Sequence, residues 1–124
     1  RMTVMKPQDL LTRIHIPATW ADAEFYYEKI RDRGSWDFQL VSVAAAFRKA
    51  GGTIEEARIS VNGVAPFPVR LDAVERLVQG TSGDESTASA AGELAIQGAR
   101  PLRHNEYKVT MMRNLVRRAV RSVS

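Results

Sequence analysis

Gln39-Leu40-Val41-Ser42-Val43-Ala44-Ala45-Ala46-Phe47-Arg48-Lys49-Ala50-Gly51-Gly52-Thr53-Ile54-Glu55-Glu56-Ala57-Arg58-Ile59-Ser60-Val61-Asn62-Gly63-Val64 decides the fold. Val41, Val43, Ala45 and Phe47 alternate with smaller or polar residues, the period of a half-buried strand. Three consecutive alanines also suit a helix, which is the competing assignment for residues 39–49. Ala50-Gly51-Gly52 favours the strand, because a glycine pair between two apolar runs is a hairpin turn. The chain then returns over residues 54–64, with Ile59 and Val61 on one side and Arg58, Ser60 and Asn62 on the other. Gly63 suits a bulge or a close approach of backbone.

Upstream, Leu10, Thr12, Ile14 and Ile16 alternate with Leu11, Arg13 and His15, which predicts a strand ended by Pro17. Glu24 to Ile30 carries Phe25, Tyr26 and Tyr27 and predicts another. Pro66 and Pro68 close the sheet region. Downstream the period changes. Leu71, Val74, Leu77 and Val78 have helical spacing, with Gly80 as the stop. Asp84 or Ser86 can cap an alanine-rich helix carrying Leu94 and Ile96. Gly98 to Asn105 is a connector containing Pro101. Residues 106–123 place Met112, Leu115, Val116, Ala119, Val120 and Val123 on one stripe, with Arg113, Arg117 and Arg121 opposite. Strands first and helices after predict an α+β fold, a small antiparallel sheet of three to four strands followed by about three helices. The expected organisation is one domain over residues 1–124, the sheet at about 8–66 and the helices at about 70–123.

Composition narrows the chemistry. The 124 residues suffice for one core, and 44% apolar with 26% charged is ordinary for a globular chain. No apolar run is long enough to span a bilayer, and the opening residues Arg1 to Lys6 lack the apolar stretch of a signal peptide. An Arg before Met reads as a cut or tagged start. Cysteine is absent, which excludes thiolate metal sites, Cys-ligated clusters and a Cys nucleophile within this chain. His15 and His104 have no second ligand at metal spacing. There is no Gly-x-Ser-x-Gly elbow, no Gly-x-Gly-x-x-Gly and no P-loop. The net charge of +4 is concentrated near the C-terminus, where Lys108, Arg113, Arg117, Arg118 and Arg121 form a nucleic-acid candidate. Nothing there marks a recognition helix or a stacking platform, so a solvated or partner-facing helix is the plainer reading.

Tyr27-Glu28-Lys29-Ile30-Arg31-Asp32-Arg33-Gly34-Ser35-Trp36-Asp37-Phe38 concentrates aromatics and cations around a turn. Strand alternation would place Lys29, Arg31 and Arg33 on one face. Such a set suits a flat, electron-rich, partly anionic ring, and it also suits an edge strand guarded by charge. Together with Leu10 to Pro17, Gly51 to Ile59, Gly63 to Pro66, Arg100 to Arg103 and Tyr107-Lys108 leading into Arg113 to Ala119, it resembles the C-terminal domain of the FAD-binding (medium) subunit of molybdenum hydroxylases. These are the xanthine dehydrogenase, aldehyde oxidoreductase and CO dehydrogenase flavoproteins.

The resemblance implies a fragment of a subunit that passes electrons from iron–sulfur clusters through FAD to an acceptor. The resemblance implies an enzyme as part of a molybdenum- and FAD-dependent oxidoreductase complex, and leaves the activity of the chain alone open. The implied partners are an iron–sulfur small subunit, a molybdenum-cofactor large subunit and upstream FAD-binding domains, with neither nucleic acid nor a membrane span. The implied compartment is the cytoplasm, with the periplasm as the alternative. By this resemblance the positions nearest the flavin are Tyr27, Lys29, Arg33, Trp36 and Asp37, with Asp37 expected either to hold the loop by pairing with Arg33 or to set the polarity near the ring. No catalytic residue and no metal ligand is assigned. The alternatives are a free-standing interaction domain of the same fold without flavin and a basic nucleic-acid module. The chain carries no diphosphate-binding segment, so the isolated chain is not expected to retain FAD.

Overall fold

The computed structural model describes residues 3–124. A four-stranded antiparallel meander in the order β1-β2-β3-β4 is built from Glu24–Ile30 (β1), Val41–Ala50 (β2), Thr53–Asn62 (β3) and the short Val69–Arg70 (β4). Helices Asp72–Val78 (α1), Glu85–Ala95 (α2) and Tyr107–Arg121 (α3) follow. This is the expected α+β architecture.

The hairpin decides between strand and helix for the alanine run. Gly51 and Gly52 both hold positive φ (57° and 82°), the backbone of a two-residue turn whose twist matches its flanking strands. That turn sets Ala45 opposite Ile59 and Phe47 opposite Ala57. Directly opposed residues share a face. One face therefore collects Val41, Val43, Ala45 and Phe47 with Ala57, Ile59 and Val61, all buried. The helices cover this face. Leu115, Val116, Ala119 and Val120 of α3 are fully buried against it and Val123 is nearly so, the stripe the sequence predicts.

The ends of the elements are set locally. The Asp84 carboxylate accepts from the Thr87 N–H at 2.8 Å and caps α2. Gly63 sits at φ 82°, and a Cβ there would lie 2.6 Å from the Leu40 carbonyl oxygen. Only glycine lets the β3–β4 and β1–β2 connections touch at this end of the sheet. Across α3 and β1, Arg118 pairs with Glu28 at 2.8 Å, and Glu28 accepts the Tyr26 hydroxyl. Burial first, and then Glu28, push the Tyr26 phenol up to about 12.

Three expectations are corrected. Residues 10–16 form no strand. Leu10, Ile14 and Ile16 are 83%, 80% and 80% exposed, so their alternation marks an apolar side with no ladder to join. The sheet accordingly begins at Glu24 rather than near residue 8, and it extends past Pro68 into β4. Leu77 faces solvent, while Glu75 takes the buried place on α1 beside Val74 and Val78. Among the described residues, no helix is long and apolar enough to cross a membrane.

Candidate functional site

Among the described residues, the second face of the sheet carries none of α1–α3, and only the single-turn 3-10 helix Ala18–Trp20 lies against its far end. Register places Phe25 opposite Ala46, Tyr27 opposite Ala44 and Lys29 opposite Ser42. β3 continues these rows with Arg58, Ser60 and Asn62. β2 thus supplies a floor of small side chains, Ala44 and Ala46, while Ser42 on the same row is buried at 6% exposure. The wall on the β1 side is aromatic and cationic, and the β3 side is polar. Phe25 is 70% exposed and Tyr27 67%. A flat group can approach Ala44 and Ala46 closely, because neither side chain stands up from the strand, and Arg48 bounds the row beyond them. At the far end the Trp20 ring lies 5.2 Å from the Arg58 guanidinium. With Ile16, Pro17 and Phe25 it encloses a concavity of about 420 Å³.

At the near end the chain leaves β1 at Ile30 and returns at Val41. Leu40 N–H donates to the Ile30 carbonyl at 2.8 Å and closes the loop. Inside it, one carboxylate oxygen of Asp37 accepts the backbone N–H groups of Asp32 (2.9 Å) and Arg33 (3.0 Å). The Arg33 guanidinium donates to the Trp36 carbonyl at 2.6 Å. The Lys29 ammonium donates to the Asp37 carbonyl at 2.6 Å. The Arg33 N–H leads the interactions that hold the Asp37 carboxyl below the usual carboxylate range, with the Asp32 and Phe38 N–H groups and the Lys29 charge adding to it.

These bonds fix a strained tip. Trp36 has φ 51°, left-handed backbone that a bulky side chain rarely adopts. Its side chain is 95% exposed, and Phe38 beyond it 90%. Strain of this kind persists where surrounding bonds over-determine the backbone.

The structure therefore brings Lys29, Arg33, Trp36 and Asp37 into one hydrogen-bonded loop. Tyr27 stands on the same open face as Lys29, two residues away, with no hydrogen bond to the loop among the described residues. Two geometric expectations change. Asp37 pairs with backbone N–H groups rather than with the Arg33 guanidinium. The common face of Lys29, Arg31 and Arg33 ends at Lys29, because β1 stops at Ile30 and the next two cations belong to the loop.

The arginine face of α3 is largely neutralised. Arg113 pairs with Glu93 at 3.6 Å, Arg117 and Arg121 both pair with Glu85, and Arg118 pairs with Glu28. Lys108 donates to the Gly63 carbonyl at 2.8 Å. Charges already paired offer little to a phosphate backbone.

The sequence reading misses one buried polar node. One Glu75 oxygen accepts from the Ile59 N–H at 2.8 Å and from Arg70 Nε at 2.9 Å, and the other accepts from Arg70 Nη2 at 2.8 Å. Arg58 stands 3.8 Å away. The signal was available. Glu75 lies at i+4 from Leu71 and i−3 from Val78, on the apolar stripe of α1, where an acid needs a partner. Among the described residues, no cluster of His, Asp or Glu can hold a metal ion.

Residues 25–123 match the family model of the CO dehydrogenase flavoprotein C-terminal domain. The carbon monoxide dehydrogenase medium chain of Hydrogenophaga pseudoflava is 28% identical over 123 residues, covering 96% of this chain and 42% of that one. The aldehyde oxidoreductase FAD-binding subunit PaoB of Escherichia coli K12 is 31% identical over 110 residues, covering 88% of this chain and 31% of its own length. The chain thus spans less than half the length of these relatives. Among solved structures, a Hydrogenophaga pseudoflava carbon monoxide dehydrogenase lacking the Mo-pyranopterin moiety superposes with a TM-score of 0.74 at 30% identity. It covers 83% of this chain and 37% of that one. Quinoline 2-oxidoreductase from Pseudomonas putida 86, at 24% identity, shares the fold with a TM-score of 0.73, over 82% of this chain and 37% of that one. With the family model matching nearly the whole sheet-and-helix unit, this chain belongs to the CO dehydrogenase flavoprotein C-terminal domain family.

Proposed function

We propose that this chain is the flavin-facing C-terminal domain of the FAD-binding medium subunit of a molybdenum hydroxylase. In that subunit FAD takes electrons from iron–sulfur clusters and yields them to an acceptor. The observation that carries this reading is the Lys29-clamped loop, which holds an exposed Trp36 in strained backbone at the end of β1, next to a sheet face open at Tyr27 and Ala44. Kinship with medium chains and an FAD-binding subunit supports the same reading.

The residues present suit one part of the cofactor. A flat ring can lie against Ala44 and Ala46, with Tyr27 and Trp36 as packing surfaces and Lys29 and Arg33 as fixed cations. The diphosphate is a different matter. Among the described residues, Gly51 and Gly52 make the hairpin turn, Gly63 leaves β3, Gly80 and Gly98 follow α1 and α2, and Gly83 stands between two helices, so none opens a strand-to-helix phosphate cradle. The diphosphate and adenine would then be held by other parts of the subunit, with an iron–sulfur small subunit and a molybdenum-cofactor large subunit as neighbours. The purified 124-residue chain should accordingly show no stoichiometric flavin absorbance, and a yellow protein with one flavin per chain would overturn that division of labour.

Bound FAD would supply the two-electron chemistry. This chain would shape the field around it and exclude water. The Lys29 ammonium uses one donor on the Asp37 carbonyl and keeps two more. A fixed cation beside the ring stabilises the charge that reduction adds, and so raises the potential. The same bond ties the loop, so Lys29 would both tune the ring and seat Trp36. Asp37 would keep the loop in place through the Asp32 and Arg33 N–H groups. Arg33 would secure the strained Trp36 peptide.

Replacement Lys29→Met in the complete subunit should lower the flavin midpoint potential by roughly 20–40 mV, the two-electron equivalent of about 1–2 kcal/mol. Electron delivery to the natural acceptor should slow. Turnover with an artificial acceptor that takes electrons upstream of the flavin should stay normal. An unchanged potential together with unchanged acceptor kinetics would return Lys29 to the role of an edge-strand charge.

A further inference from the structure

A second concavity lies on the helical side of the molecule, away from the bare sheet face. It has a volume of about 340 Å³ and opens between the β3–β4 connection and the chain joining α2 to α3. Small-ligand pockets run from roughly 300 to 1,000 Å³, so it is large enough for a compact molecule. Its floor is apolar: Val64 from the β3–β4 connection, Ala95 from the last turn of α2, and Val109 and Met112 from α3. Its polar lining includes two cations, Arg100 and Lys108, and no carboxylate.

The charge here differs from that of the arginines on α3. Arg113, Arg117, Arg118 and Arg121 each find a glutamate. Arg100 has no ion pair or hydrogen bond among the described residues. Lys108 is half-buried and meets only the neutral Gly63 carbonyl. That bond fixes the ammonium at the cavity and leaves it two further donors. A half-buried cation without a counterion gains from an anion brought to it. The apolar floor selects against a fully hydrated ion such as free phosphate, which would lose water without replacing it.

We infer that this cavity is a binding site for a small apolar carboxylate, its carboxylate set between Arg100 and Lys108 and its hydrocarbon body on Val64, Ala95, Val109 and Met112. The inference does not depend on the flavin reading, since the cavity and the flavin-facing loop share no residue.

Equilibrium dialysis of radiolabelled benzoate against the complete polypeptide tests it. Hexanoate serves as a competing aliphatic carboxylate and benzamide as the uncharged isostere. One saturable benzoate per chain is expected, displaced by hexanoate, with benzamide at least about tenfold weaker. Arg100→Gln should weaken benzoate roughly tenfold, the loss of one charge-assisted hydrogen bond. Val64→Trp, which fills the cavity from a lining position that is itself partly exposed, should abolish binding. Arg103→Gln, an exposed cation outside the lining, should leave it unchanged. All three positions are exposed, so thermal melts should match the parent. The inference is overturned by any of three results. These are no saturable binding up to about 10 mM, above the roughly millimolar Kd such an open site supports; equal affinity for benzamide; or a benzoate site indifferent to both Arg100→Gln and Val64→Trp.

Discussion

Leu115→Ala should lower the unfolding free energy by about 2–5 kcal/mol, the cost of emptying a fully buried leucine site that cannot collapse. Leu115 is 0% exposed. It belongs to the same core as Val41, Val43 and Phe47 of the central strand. The lower end of the range would apply if α3 settled into the gap. The neighbouring contacts oppose that. Gly92 of α2 already lets the Arg113 carbonyl come within 2.8 Å of where a Cβ would stand, so α3 is held against α2 and has little room to shift. The companion measurement is Arg117→Ala, two residues along and about 200° round the helix on the outer side. Arg117 is exposed and paired with an exposed Glu85, and such pairs contribute within about 1 kcal/mol. Denaturant melts of the two variants should differ by several-fold in stability loss. Equal losses would mean that the buried and exposed faces of α3 have been exchanged.

That face assignment was legible in the sequence, and the reason is physical. An amphipathic helix must put its stripe on something, and a fifteen-residue helix gives four turns of agreement. The hairpin was legible for a similar reason, since the period of two in β2 and β3 is joined by a turn only glycines make easily. The stretch from Leu10 to Ile16 shows the limit of the argument. Its alternation is as clean as that of β2, yet a strand exists only where another strand offers a ladder. Neither edge of the meander pairs with it. Periodicity reports that a segment has an apolar side and not what that side meets.

The site divides along the same line. The residue types around Gly34 marked the loop, and the structure joins Lys29, Arg33, Trp36 and Asp37 there. The bonds that join them are nearly all to backbone: the Asp37 and Trp36 carbonyls and the Asp32 and Arg33 N–H groups. Backbone groups are present at every position, so side-chain spacing could not reveal which would be used, and it suggested an Arg33–Asp37 ion pair instead. The small floor of Ala44 and Ala46 was visible as the alanine run, but it weighed only as a doubt about the strand. Its meaning appears when register puts Phe25, Tyr27 and Lys29 alongside.

Glu75→Gln should destabilise the fold by about 2–3 kcal/mol at neutral pH. Breaking a fully buried ion pair costs roughly 3–5 kcal/mol. The lower figure applies here because the Arg58 and Arg70 side chains remain 43% and 50% exposed and can turn to water. The carboxylate itself is 7% exposed and ties α1 to β3 through the Ile59 N–H. An amide keeps the shape but loses the charge, and it points N–H donors at the Arg70 guanidinium. The loss should depend on pH with a definite sign. Burial pushes the Glu75 carboxyl up, but the Arg70 hydrogen bonds, the Ile59 N–H and the Arg58 charge outweigh it, and its pKa lies below the ordinary value. A depressed folded pKa means that the carboxylate's stabilisation is fully present above the unfolded pKa of about 4.3 and is lost as pH falls through the folded value. The gap between parent and variant should therefore stay constant from pH 7 to about 5 and narrow below about 4. Asp37 and Asp84 also have lowered pKa values. They titrate in parent and variant alike, so they cancel in the difference. Urea melts across this range read the gap directly. A gap that stays constant down to pH 3, or none at pH 7, would show that Glu75 serves as a packing residue whose charge contributes nothing to joining helix and sheet.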